Sequence, residues 1–467
     1  QKPDCLLVHM PKLVNYYEPW GYYTFINFIP IGLVPMANLL NKHGIRSEIV
    51  HYGVERMDDP KFSLVNYMAG RQPRLLALDL HWHQQTYNVL KLAREVKRKC
   101  PDIKIVCGGF TASFFSRQVL EQSPDIDFVI RGDGERPLLE LFRSLDKDLS
   151  AVPNLVWREG DKIVANDCSY VAGGPELDDL DFSDFSPVRK LDTYRKLSFM
   201  YRLGVEKDKN VFEKQPTLFS VSVGRGCTVS CSYCAGSAVS QAIINNRQQV
   251  ALRSADKIVE QIEAAKSQGF EVFHFSFDPY PRDPVNYYEL FERIRKRGIR
   301  PKIYFESFGL PVRKFIDDFQ RTFDRESVMV ISPEVGSEKL RNIHRGNSHT
   351  NAELIETVAY LAKQRIKHNL FFTLGLPLET RRDIQATIDL QAYLRKHFRS
   401  SGIFTSPIEM EPGCPSFLDP EKYKMKLKRR TLYDFFQDHR HPQLRLGYET
   451  SEFTEQEILG LRCRYFC

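Results

Sequence analysis

Short apolar runs of strand length alternate with longer amphipathic stretches along most of this chain, in two successive series. Such alternation commits a chain to parallel strands joined by helical crossovers, because a tight turn joins only antiparallel neighbours. The first series predicts strands at Cys5–His9, Ser47–His51, Leu75–Leu80, Lys104–Val106 and Asp127–Ile130, with helices at Pro30–His43, Thr86–Lys99 and Ala112–Gln122. Gly44 stops the first helix and Pro101 ends the second. Leu75–Leu80 is almost wholly apolar, which places it centrally, covered on both faces. These elements define a doubly wound α/β domain over residues 1–150.

Residues 151–210 lack a clear period and include the acidic, loop-like Glu176–Phe185, so they read as a linker. From Pro216 the second series predicts strands at Leu218–Val223, Val272–Phe277, Lys302–Phe305, Val328–Ser332, Leu370–Leu374 and Ile403–Ile408. Helices are predicted at Ser254–Gln268, Pro284–Arg297, Val312–Phe319, Ser337–Ile343, Asn351–Arg365 and Arg381–Phe398. Six strand–helix units without closure make a partial (β/α)6 barrel over residues 211–415. Residues 416–467 read as a small, mainly helical region with a capping-box-like Thr454-Glu455-Gln456-Glu457.

In both architectures ligands gather beyond the carboxyl ends of the strands. Three loops stand there in the first half: Asp79-Leu80-His81-Trp82-His83-Gln84-Gln85, Gly108-Gly109-Phe110-Thr111 and Arg131-Gly132-Asp133-Gly134-Glu135. Paired glycines let a backbone approach a bulky ligand and serve tight turns equally well. In the second half, Leu218–Val223 leads into Gly226-Cys227-Thr228-Val229-Ser230-Cys231-Ser232-Tyr233-Cys234. Three thiolates on one tight loop can each hold one iron of a four-iron cluster, leaving the fourth iron open to a substrate or cofactor. A zinc site would be one ligand short, since no Cys or His follows closely enough. The spacing is too tight for a disulfide framework, and the seven other cysteines are scattered.

The cysteine spacing, with Tyr233 just before the last thiol, resembles the motif of radical S-adenosylmethionine (SAM) enzymes. The resemblance implies a 4Fe-4S cluster on Cys227, Cys231 and Cys234 that cleaves SAM reductively to a 5′-deoxyadenosyl radical. It also implies SAM contacts at the barrel strand ends. SAM needs a carboxylate for its ammonium or ribose and a cation for its own carboxylate. Glu306, Glu334 and Arg345 fit by type, Asp278 follows the second strand, and Gly375 matches a glycine that admits adenine. Asp278 and Glu379 read equally as a helix cap or a surface ion pair.

With that cluster downstream, the first half resembles the cobalamin-binding, Rossmann-like domain that precedes many radical SAM barrels. Phe28-Ile29-Pro30-Ile31-Gly32-Leu33, His81-Trp82-His83, Gly108-Gly109 and Gly132-Asp133-Gly134-Glu135 carry the likeness. It implies cobalamin contacts at His81, Trp82, His83, Gln84, Gly108, Gly109, Phe110, Thr111, Gly132 and Glu135. The motif Asp-x-His-x-x-Gly, whose histidine coordinates cobalt, is absent: Asp79-Leu80-His81 runs on into Trp82-His83-Gln84 and follows the third strand. The expectation is therefore cobalamin with its own base displaced and no histidine on cobalt. For the histidines, a satisfied polar sheet edge is the competing reading.

The resemblance runs from Cys5 to Cys414, where Glu409-Met410-Glu411-Pro412-Gly413-Cys414 ends the sixth strand either facing the substrate or as a plain turn. It implies a cobalamin-dependent methyltransferase that moves a methyl group from SAM, by way of methylcobalamin, to an unactivated carbon. A non-methylating cyclisation, rearrangement or sulfur insertion is the alternative within enzymes. A sensing module with a structural cluster is the alternative outside them. A ferredoxin or flavodoxin is the implied electron donor, and the substrate is a peptide or protein side chain or a small molecule.

Net charge is +7 over 467 residues, too mild to call for nucleic acid. The basic stretch Lys422–Arg430 reads as a solvated helix face. No apolar run reaches membrane-spanning length. Ten cysteines, three in the cluster motif, point to a reducing, oxygen-poor cytoplasm, with Cys5, Cys100, Cys107 and Cys168 as ordinary structural thiols. Nothing near Gln1 reads as a leader, and the stop at Cys467 after a helix start leaves room for further C-terminal sequence.

Overall fold

A computed structural model describes residues 2–10, 30–198, 216–276, 285–345, 348–398, 401–437 and 446–465. Phe28, Ile29 and Asp278 from the motifs above lie outside the described residues.

Strands β1 (Cys5–His9), β2 (Ser47–His51), β3 (Leu75–Asp79), β4 (Lys104–Gly108), β5 (Phe128–Ile130), β6 (Leu155–Glu159) and β7 (Lys162–Ala165) form one sheet in the order β2-β1-β3-β4-β5-β6-β7. The first five run parallel. Their alternation puts Cys5, Leu7, Ile49, Leu75 and Val106 into one core. Leu6, Val8, Val50, Leu76, Leu78, Ile105 and Cys107 face the other. Both faces are thus covered, as apolar parallel strands require.

The linker expectation is corrected by this sheet. Residues 155–165 form a hairpin turning at Gly160 (φ +57°), and β6 pairs antiparallel with β5. The rest of the segment is fastened down. Val188 bridges to Ile49, the Asn38 amide donates to the carbonyls of Asp181 and Asp184 at 2.9 Å, and Phe185 meets Phe219 of the second unit at 5.4 Å. Phe182, Phe185 and Tyr194 are all buried, so one continuous core joins the halves. The helix expected at Ala112–Gln122 is two, Phe110–Phe114 and Ser116–Gln122. The break is at Phe115, whose buried ring packs on Phe114 and Phe435.

In the second unit β8 (Leu218–Ser220) leads to a ribbon of β9 (Gly224–Arg225) and β10 (Ala251–Leu252). Then come β11 (Val272–Phe275), β12 (Lys302–Ser307), β13 (Val328–Glu334), β14 (Lys367–Leu374) and β15 (Ser401–Pro407). The six long-range strands lie parallel in sequence order, β8 to β15, an open partial barrel. Phe219, Phe273, Phe275, Ile303, Phe305, Met329, Ile331, Leu370 and Phe372 pack outward under the helices. By the two-residue period, Ser220, His274, Tyr304, Glu306, Phe371 and Phe404 turn inward.

The C-terminal region adds a short two-stranded ribbon to the helices Pro415–Leu418, Leu432–Gln437 and Glu455–Tyr465. The basic stretch contains β16 (Met425–Leu427), paired antiparallel with β17 (Tyr448–Thr450), not a helix face. Lys428, just past β16, reaches Glu449 of β17 at 2.9 Å and Glu455, at the start of the last helix, at 3.0 Å. The helix Leu432–Gln437 returns to the first domain, where the Leu432 amide donates to Gln118 Oε1 at 2.8 Å. No helix among the described residues is long and apolar enough to cross a membrane.

Candidate active site

The cysteine loop leaves the carboxyl end of β8 through the ribbon. Gly226 holds φ +93°, and a Cβ there would lie 3.1–3.2 Å from Arg247, Gln249 and Val250, so the turn into Cys227 admits glycine alone. The Val229 amide points at the Cys227 sulfur at 3.4 Å and the Gly236 amide at the Cys234 sulfur at 3.3 Å. Burial pushes the Cys234 thiol well up, and the charges of Glu411, Cys231 and Cys227 nearby add to the rise. Burial pushes the Cys231 thiol up to about 11, opposed by Arg345. None of the three is in a disulfide. Among the described residues no three Cys, His, Asp or Glu side chains converge on a single ion. Thiols that each take a different iron of a four-iron cluster have no need to, so the loop fits that group.

Three other elements clamp the loop. His344 bonds Ser232 Oγ through Nδ1 at 2.6 Å and the Pro377 carbonyl through Nε2 at 2.6 Å. Burial lowers its pKa to about 4, so the ring is neutral: Nε2–H donates to the carbonyl and Nδ1 accepts from the serine. Ser416 donates its amide to the Ser232 carbonyl, and the Ala235 amide donates to Glu411 Oε2, both at 2.8 Å.

Glu334 ends β13 at φ +64°, beyond a register shift, a strained position for a non-glycine residue. Its carboxylate takes Arg345 at 2.8 Å and the Thr373 hydroxyl at 3.2 Å, and burial raises the Tyr233 phenol with the Glu334 charge adding to it. Arg345 also donates to the carbonyls of Ser332 and Phe308. Glu334, Arg345 and Tyr233 therefore form one buried group beside Cys231. Gly375 (φ +80°) donates its amide to Glu379 Oε2 at 2.7 Å, and its carbonyl accepts from Tyr448 at 2.7 Å. Glu306 stands apart, with His274 at 3.2 Å.

In the first domain the loops after β3 and β4 lock together. The Thr111 hydroxyl and amide both donate to the His81 carbonyl, at 2.9 and 3.2 Å. Gly109 (φ +104°) lets the His81 backbone approach to 2.7 Å of where a Cβ would sit. The His81 ring meets Trp82 and Phe110 edge-on at 4.7 and 5.2 Å. Trp82 is 37% exposed at this edge. An aromatic surface beside a glycine turn without room for a side chain fits a flat macrocycle. Gly108 lies in the same turn, its carbonyl accepting from the Leu80 amide.

The remaining sequence candidates face the other domain. His83 is buried, its Nε2 on Glu409 at 2.8 Å, and the Gln84 amide donates to the other Glu409 oxygen at 2.8 Å. Glu135 has a wholly buried side chain paired with Arg225, whose guanidinium also takes Asp133 at 3.0 Å. Arg247 closes the cluster on Asp133. The Gly132 amide donates to Ser113 Oγ at 2.9 Å. Sequence reasoning missed Arg225, Arg247, Asp133 and the Glu409–Glu411 strap as a seam, because partners this far apart in the chain leave no local pattern. It also missed His9 and Asp79, which end adjacent strands β1 and β3 and pair at 2.6 Å. Their shared strand-end position was the available signal.

Comparison with known proteins follows this division. Residues 27–142 match the B12 binding domain and residues 221–390 the radical SAM superfamily. The chain is 27% identical over 313 residues to the anaerobic magnesium-protoporphyrin IX monomethyl ester cyclase of Cereibacter sphaeroides, covering 64% of this chain and 45% of that one. It is 25% identical over 293 residues to the hopanoid C-3 methylase of Methylococcus capsulatus, covering 61% and 49%. It thus spans about half the length of these relatives. Among solved structures, the radical S-adenosylmethionine methyltransferase TsrM from Kitasatospora setae, with cobalamin and a 4Fe-4S cluster bound, superposes with a TM-score of 0.69 at 17% identity, over 93% of this chain and 81% of that one. The cobalamin-dependent S-adenosylmethionine radical enzyme OxsB gives 0.67 at 14% identity, over 97% and 65%. At such identities the likeness establishes a shared fold.

Proposed function

Because this chain belongs with the cobalamin-dependent radical SAM proteins, a B12 binding domain joined to a radical SAM domain, we propose that it is a methyltransferase acting on an unactivated carbon. The observation that carries this reading is the placement of the three thiols. They leave the carboxyl end of β8 and are tied, through Glu411 and Glu409, to the loop after β3 of the other sheet. In this reading the two cofactor edges face each other across that seam. When bound, the cluster and SAM supply hydrogen-abstracting one-electron chemistry, and cobalamin supplies a methyl carrier.

Cys227, Cys231 and Cys234 would hold the cluster. Arg345 and Glu334 present a buried cation and carboxylate to a zwitterionic ligand, with Tyr233 fixing the carboxylate. His81, Trp82 and Phe110 would flank the corrin, while His83 and Gln84 act from behind, fixing their loop on Glu409. The buried strap around Met410 and Cys414 keeps water from the seam.

The test is anaerobic reconstitution with iron, sulfide and hydroxocobalamin, followed by reduction with SAM. Bound cobalamin with both 5′-deoxyadenosine and S-adenosylhomocysteine is the expected outcome. Retained SAM cleavage in a folded Cys231→Ala variant would sink the radical SAM reading. The likeness to a cyclase favours a second reading, a non-methylating ring closure. It predicts 5′-deoxyadenosine without S-adenosylhomocysteine. An external low-potential electron donor is part of either proposal.

A further inference from the structure

The inward face of the barrel is divided by chemistry. On β8, β11 and β12 a polar relay brings Ser220 Oγ to 3.5 Å from His274 Nδ1 and His274 Nε2 to 3.2 Å from Glu306 Oε1, the second a charge contact without hydrogen-bond geometry. Tyr304 lies against His274, ring centroids 5.5 Å apart. On β14 and β15, across the lumen, Phe371 and Phe404 stack at 5.0 Å with an interplanar angle of 22°. Phe404 is 46% exposed and the Glu306 side chain 35% exposed. A large ring and a carboxylate that stay this open on an inward face line space rather than fill it.

The relay lies deeper than the Glu334–Arg345 group. Glu306 pairs with Val330, and Glu334 lies beyond the register shift on the same strand. Three to four residues at ~3.3 Å each put it about 10 Å nearer the mouth. Among the described residues, the charge at the deeper level is that of Glu306. Its second oxygen has no partner among the described residues. A carboxylate half in water and half in protein favours a donor, most of all a cationic one. The facing pair of stacked rings favours a flat apolar body.

We propose that the lumen is a substrate subsite for an aromatic molecule bearing an amino head group, the ring lying on Phe404 and Phe371 and the amine on Glu306. His274 is a positioning residue that orients the carboxylate and is itself set by Ser220. This rests on the barrel being the reaction chamber of the function proposed above. Molecules whose head group is a carboxylate are disfavoured, because they would meet the like charge of Glu306.

The experiment measures binding of two probes to the reconstituted full-length chain by equilibrium dialysis: 2-(2-naphthyl)ethylamine and 2-naphthylacetate, which share a ring and differ in head-group charge. The amine is expected to bind at least ~10-fold tighter, the scale of one charge-assisted hydrogen bond. Glu306→Gln should bring the two within about 3-fold of each other, and Phe404→Ala should weaken both about 10-fold while preserving their ratio. His274→Asn, which keeps Glu306, should narrow the ratio and serves if Glu306→Gln does not fold. Equal binding of the two probes, an unchanged ratio in Glu306→Gln, or no binding of either overturns the proposal. Iron content and SAM cleavage are read on the same samples. A chain that prefers the amine but holds no iron refutes the reaction and spares the subsite, and the converse refutes the subsite alone.

Discussion

Replacing Arg225 with Met tests whether the two domains are held by buried charge. The perturbation removes the guanidinium and keeps the stem's bulk. Glu135, with a wholly buried side chain, then loses its cation, while Asp133 keeps Arg247. Arg247 is 4% and Asp133 11% exposed, so water cannot take the missing partner's place. Removing one member of such a pair costs about 3–5 kcal/mol, because the surviving charge stays buried. At 1.4 kcal/mol per decade that is a ~140- to ~3,700-fold rise in local opening. Hydrogen exchange of peptides spanning Gly224–Cys227 and Asp133–Glu135 reads it directly. A global melt would blur it, since a two-domain chain need not unfold in one step. Arg46→Met is the control. Its pair with Asp4 is exposed, 53% and 29%, and loss should change protection by less than about 1 kcal/mol. Adding Glu135→Leu to Arg225→Met should recover at least half of the loss. If Arg225→Met alters protection less than about 5-fold, no more than the control, the seam is not held by these charges.

Gly109→Ala would drive a Cβ to 2.7 Å from the His81 backbone, and should abolish cobalamin retention in an optical titration while iron content is unchanged. Burial raises the Glu379 carboxyl from 4.5 to about 8, so the folded chain binds this proton more tightly than the unfolded one. Its stabilising contribution is whole below pH ~4.5 and is lost as pH rises through about 8. Urea titrations should show Glu379→Gln losing that decline, which amounts to a few kcal/mol. Thr350→Ala breaks a capping box with Glu353 and should cost about 1 kcal/mol without touching iron content. Cys227→Ala, Cys231→Ala and Cys234→Ala should each lose the cluster's absorbance.

Where the backbone follows a local period, the sequence was enough. Cys5–His9, Ser47–His51 and Thr86–Lys99 form at the predicted residues because their burial pattern lies within the element itself. The hairpin at 155–165 escaped because its strands are short and owe their existence to β5, twenty-five residues away. The cysteine loop was legible because its ligands are neighbours in sequence. The seam was not. Arg225 and Glu135 are 90 residues apart, and His83 and Glu409 are 326 apart, so nothing local marks either pair. Glu135 drew notice as part of a glycine-rich loop, and it is the neighbouring domain that gives it a partner.

The strap that clamps the cysteine loop also sets a clock. Ala235 and Glu411 are separated by 176 residues, so the thiols leave the ribosome well before the carboxylate that closes over them. At roughly 5–20 residues per second, the interval lasts about 9–35 seconds. During it, iron and sulfide can reach the loop on a nascent chain whose barrel is unfinished. Slowing translation between the two segments should therefore raise the iron content of the purified protein.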